Sequence, residues 1–189
     1  MARPPRLANC SYKGQLQLFL TFCTHQRQPL LAERETASML REQLLRSSQS
    51  FGVAVDAYVW MPDHVHMLTR GLNPEADLAA FLADFKHETG WQFRKDRKRR
   101  LWQEGFRDRV LRDEAEGLSI LAYIVANHVR AGLASSAYEY KFWGSLTTSR
   151  EAILKRLGLL DGGGKPPADH LHPGGITNLN LGGLFTERR

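Results

Sequence analysis

The chain has 189 residues, 42% of them hydrophobic, which is enough for one domain with a proper core. No run approaches the ~20 apolar residues of a membrane-spanning helix, and the basic, proline-containing stretch Met1–Cys10 lacks the apolar block of a signal peptide. A cytoplasmic protein with no membrane partner is therefore expected, and its net charge of +6 with a pI near 9.6 favours a polyanionic partner.

Leu16, Leu18, Leu20 and Phe22 alternate with Gln17, Phe19, Thr21 and Cys23, and period two predicts a strand. Glu33 to Ser50 follows as a helix, free of Gly and Pro, with Ala37, Leu40 and Leu44 on one face. Val53 to Met61, rich in β-branched and aromatic residues, predicts a second strand. Pro62-Asp63 is a turn signal, and His64 to Thr69 a third strand, so strands two and three form an antiparallel hairpin. Leu78, Phe81, Leu82 and Phe85 recur at helical spacing. Phe106 to Leu111 is a short fourth strand. Asp113-Glu114 opens a third helix that runs to Arg130, expected to bury Leu118, Leu121, Val125 and Val129, with Gly132 as its stop. A further short helix spans about Thr148 to Leu157.

The order β-α-β-β-α-β-α implies an α+β fold. Its first six elements are the ferredoxin-like arrangement, an antiparallel sheet with helices on one face, and the last helix is added to it. The expected organisation is a basic N-terminal arm over 1–12, a folded domain over 13–158 and a flexible tail over 159–189. Seven glycines and three prolines fall within Asp161–Arg189. Cys10 and Cys23 form neither a disulfide framework nor a C-x-x-C pattern and read as reduced thiols.

The charge is concentrated. Arg94, Lys95, Arg97, Lys98, Arg99, Arg100, Arg107, Arg109 and Arg112 stand against only Asp96, Glu104 and Asp108, an excess that accounts for the whole chain's +6. Trp91, Phe93, Trp102 and Phe106 interleave with them, which suits phosphate contacts and base stacking. The competing reading is a solvated helix end with core aromatics.

Two constellations carry chemistry. His64-Val65-His66 sits on a strand, where residues i and i+2 share a face, so two imidazoles project side by side just after a turn. With seven histidines in the chain, such a pair also arises by chance. Tyr123 and Asn127, spaced i, i+4 with Arg130 a turn further, form a polar stripe on the third helix. On the helix alone, a half-buried tyrosine with a hydrogen-bonded hydroxyl is the simpler account.

Together the two constellations resemble the single-tyrosine HUH transposases of small insertion sequences. The blocks Tyr58–Met67, Leu101–Arg112 and Tyr123–Leu133 are similar to that family's metal hairpin, fourth-strand region and nucleophile helix, in the same order. Asn127 and the continuation to Leu133 resemble most the branch of REP-associated tyrosine transposases. His128 departs from it, since proline is usual there. The resemblance implies that Tyr123 is the nucleophile and that His64, His66 and Asn127 hold a divalent ion, Mg²⁺ or Mn²⁺. It implies cleavage and strand transfer of single-stranded DNA hairpins through a 5′-phosphotyrosine, by a monomer or homodimer that is nucleoid-associated when bound. Arg94, Lys95, Arg97, Lys98, Arg99, Arg100, Arg107, Arg109 and Arg130 are the expected DNA contacts. The alternatives are a nucleic-acid-binding ferredoxin-like module without catalysis, a replication-initiator or relaxase-type nuclease, and a structural metal site.

Overall fold

The computed structural model describes residues 12–159. The N-terminal arm with Arg3, Arg6 and Cys10, and the tail from residue 160 onward, lie outside the described residues.

The elements appear in the expected order. They are β1 (Gln17–Cys23), α1 (Arg34–Ser50), β2 (Val53–Met61), β3 (His64–Gly71), α2 (Leu78–Arg97), β4 (Arg107–Val110), α3 (Glu114–Arg130), β5 (Trp143–Gly144) and α4 (Arg150–Arg156). A single 3-10 turn, His25–Arg27, follows β1. The sheet order is β4-β1-β3-β2-β5 and every pairing is antiparallel. Its first four strands are thus ferredoxin-like. The β2–β3 hairpin closes with Met61 opposite His64 across Pro62-Asp63, the turn the sequence marks.

Alternation along the strands divides the molecule into two cores. Leu18, Leu20, Phe22, Val65 and Met67 face α1 and α2, and pack with Leu40, Leu44, Phe81 and Phe85. Phe19, Val59, Met61 and Leu68 face α3 and α4, and pack with Ile120, Leu121, Ile124, Val125, Ile153 and Leu154. The two ferredoxin helices therefore share one face, and the added helices cover the other. Burying one Leu or Phe side chain contributes about 1.5–3 kcal/mol, so each face is held independently by several such terms.

Three sequence expectations are corrected. Leu118 is 38% exposed and Val129 only half-buried, because α3 turns Ile120 and Ile124 inward in their place. Phe93 and Trp102 are buried and Phe106 packs against the core, so of the four interleaved aromatics only Trp91 faces solvent. The two-residue strand β5 was missed: it pairs with Tyr58 and Val59 and makes β2 an interior strand.

Candidate active site

The site lies where the α3-facing side of β1 and β3 meets the middle of α3. His64 and His66 project from the same side of β3, their ring centroids 4.8 Å apart. Thr21 stands directly opposite His66 in the β1–β3 register, and its hydroxyl hydrogen-bonds His66 Nδ1 at 2.9 Å. The Asp63 carboxylate, one residue before His64, holds His64 Nδ1 at 2.6 Å and in turn accepts from Arg27 at 3.1 Å. Both imidazoles are thus fixed through Nδ1. Neither Nε2 makes a hydrogen bond among the described residues. A second partner on the far ring nitrogen is how metal-ligating histidines are usually oriented. His66 is 2% exposed. Burial, aided by the neighbouring His64 and Arg27, pushes its pKa well below the ordinary imidazole value, so the ring is neutral at physiological pH.

From α3, Tyr123 reaches across to the sheet. Its ring lies 5.3 Å from that of His66 and 5.9 Å from that of Phe19, both edge-on, while Phe19 stacks on His66 at 5.4 Å. The helix approaches closely at its start, where a Cβ on Gly117 would lie 2.7 Å from the Gln17 Oε1. Burial raises the Tyr123 pKa above the usual phenol value, with Asn127 and the Arg130 charge acting against it. The Arg130 guanidinium stands 5.8 Å from the Tyr123 ring centre. Asn127 lies one turn beyond Tyr123, and its buried Nδ2 has no hydrogen-bond partner among the described residues. A half-turn of the amide exchanges that nitrogen for Oδ1, a hard oxygen donor.

The donor set is two neutral imidazoles and an amide. No cluster of three His, Cys, Asp or Glu placed to hold a metal occurs among the described residues. Two imidazoles oriented through Nδ1 and a buried amide without a partner are nonetheless a donor set that suits a divalent ion.

The basic residues divide between the two faces. Arg107 and Arg109 lie opposite Thr21 and Phe19 on β4 and so share the histidine face. Arg109 is drawn to Glu116 on α3. Arg94, Lys95 and Arg97 occupy the last turn of α2, Lys98 caps it, and Arg99 and Arg100 follow, all in the layer behind the sheet. Several are already partnered: Arg97 with Glu33, Arg100 with Glu104 and Arg99 with Gln28. Sequence reasoning missed the roles of Thr21 and Asp63. The only available signals were Asp63's adjacency to His64 and Thr21's place in the period-two pattern of β1.

The fold has a likeness among solved structures. The chain is similar to a REP-associated tyrosine transposase bound to a REP hairpin, at 20% identity and a TM-score of 0.62. That match covers 76% of this chain and 82% of the other. It also matches a crystal structure from Deinococcus radiodurans whose transposase assignment is itself provisional. There the identity is 18% and the TM-score 0.45, over 70% of this chain and 92% of that one. No curated protein matches in sequence. The family model for IS200-like transposases matches residues 12–127, more than half of the chain and through Asn127. The chain belongs to the IS200-like transposase family.

Proposed function

We propose that this transposase cuts and rejoins single-stranded DNA at hairpins, through a covalent 5′-phosphotyrosine on Tyr123 and with a divalent ion held by His64, His66 and Asn127. The observation that carries the reading is the convergence of Tyr123 from α3 and His66 from β3, 5.3 Å between ring centres. The similar fold with a REP hairpin bound supports the choice of substrate.

The residues divide the work. Thr21 and Asp63 hold the two imidazoles with Nε2 presented, and Asn127, one turn beyond Tyr123, would offer its amide as the third ligand. A Mg²⁺ or Mn²⁺ ion so held supplies a Lewis acid for a phosphoryl oxygen and for the leaving 3′-oxygen. The phenol of Tyr123 rests protonated, since burial raises its pKa. In the attack its oxygen bonds to phosphorus and its proton passes to water, while the bond from phosphorus to the 3′-oxygen breaks and that oxygen takes a proton from water, leaving a 3′-hydroxyl. The Arg130 guanidinium favours the phenolate that develops. Because the phosphotyrosine retains a phosphodiester linkage, an incoming 3′-hydroxyl reverses the step without ATP.

The test incubates the chain with labelled single-stranded hairpins and Mn²⁺ or Mg²⁺ and looks for a covalent protein–DNA adduct. Tyr123→Phe is expected to bind the hairpin and form no adduct, and an adduct on that variant would remove Tyr123 from its role. His64→Ala is expected to lose metal-dependent cleavage while retaining binding. Unchanged metal-dependent cleavage would refute the ligand assignment.

A further inference from the structure

Of the four tryptophans in the chain, Trp60, Trp102 and Trp143 are buried, at 6% exposure or less. Trp91 exposes 58% of its surface on the outward side of α2. Lys95, one turn on, stands with its ammonium 5.3 Å from the Trp91 ring centre. The Arg94 side chain makes no ion pair or hydrogen bond among the described residues. Lys98, in the left-handed cap position, turns its Nζ to the Lys95 carbonyl rather than to an acid. The outer stripe of α2 is therefore an exposed indole, with Lys95 over its ring, among cations that the protein leaves without an acidic partner, unlike Arg97 and Arg100 beside it.

The stripe lies in the layer behind the sheet, on the face opposite the Tyr123 cleft. The loop after α2 is tied to the end of β1, with Gln103 N–H donating to the Cys23 carbonyl and His25 N–H to the Leu101 carbonyl. Cys23 pairs with His64. The loop that follows α2 therefore reaches the His64 end of the sheet. A base within a duplex has both faces covered, whereas an unpaired base offers one to an indole while its phosphates meet the flanking cations.

The geometry points to a second DNA contact: Trp91 stacks on an unpaired base in the single-stranded flank of the hairpin, with Arg94 and Lys95 against the adjoining phosphates. This rests on the reading of the substrate as hairpin DNA.

The test titrates the full chain with hairpins of one stem, either blunt or carrying about ten unpaired nucleotides, a length within the usual site size for single-strand binding. Tryptophan emission and affinity are followed together. The flanked hairpin quenches the emission, and Trp91→Phe, which leaves only buried indoles, abolishes the quenching. Trp91→Ala, at an exposed position that the fold does not need, weakens binding of the flanked hairpin by roughly five- to a hundredfold, toward that of the blunt one. Saturable binding of flanked DNA with unchanged emission, or equal affinity in Trp91→Ala, overturns the inference and leaves the proposed function standing. Quenching by polyglutamate but not by DNA overturns it in favour of an acidic peptide partner. Failure of every hairpin to bind overturns the inference and the proposed function together.

Discussion

The arrangement around His66 depends on a threonine. Thr21 fixes the ring through Nδ1, and without it the imidazole is free to exchange tautomers and rotate. Thr21→Val keeps the β-branched shape of the strand and removes the hydroxyl. It is expected to lower metal-dependent cleavage or metal affinity by about 10–100-fold with little change in folding, and Thr21→Ser to restore most of it. Cleavage titrated against Mn²⁺ checks this, and an unaltered metal dependence in Thr21→Val would mean the hydroxyl does not orient His66. The histidines and the tyrosine were legible in the sequence because their spacing is local. Thr21 was not, because its partner is 45 residues away and only the strand register brings them together.

At the scale of elements, α3 shows both what sequence patterns hold and where they fail. Its start was legible: Asp113 caps it, with the side chain accepting from Glu116 N–H. Its inward face was not. Leu118, Ile120, Leu121, Ile124, Val125 and Val129 surround much of the helix, so more than one rotation buries an apolar stripe, and packing over β2 and β3 selects the one with Ile120 and Ile124 inside. That rotation also buries His128, which stacks on Tyr140 with centroids 4.5 Å apart and has no hydrogen bond at either ring nitrogen. Burial, and after it the Arg150 charge, push the His128 pKa down to about 4. The unfolded chain takes up a proton near the ordinary value of about 6.5, but the folded one resists until about 4. Stability from this residue is therefore full above about 6.5 and is lost as pH falls toward about 4. His128→Phe should keep the stack and reduce the acid sensitivity of the melting temperature across that window. His66 shifts in the same direction, so the slope is reduced and not removed. An undiminished slope in His128→Phe would place the acid sensitivity elsewhere.

At the scale of the whole molecule, the sequence showed how much positive charge the chain carries and where along it, but not on which face. Arg94 to Arg100 read as continuous with Arg107 and Arg109, yet the turn out of α2 puts the first group behind the sheet and the second on the histidine face. Strand order, set by long-range pairing, is what separates them. The partners also differ in kind. Arg97 already meets Glu33, whereas the Arg94 side chain has no acidic partner among the described residues. Counterion release depends on charges the protein has not neutralised itself. Arg94→Ala is thus expected to flatten the slope of log affinity against log salt by about 1 for flanked hairpin DNA, and Arg97→Ala by clearly less. Equal effects of the two would show that Glu33 does not hold Arg97 in the complex.

The strand that carries both imidazoles is the third of five, bonded to a neighbour on each side and pinned beneath by Val65 and Met67. A strand so placed cannot shift without breaking two ladders at once. Room for a nucleotide is then expected to come from the tyrosine-bearing helix, which side chains alone hold to the sheet, through packing and the Arg109–Glu116 ion pair. Amide exchange should accordingly be slowest along His64–Gly71 and markedly faster around Tyr123, with the histidines as the anvil and the tyrosine as the moving part.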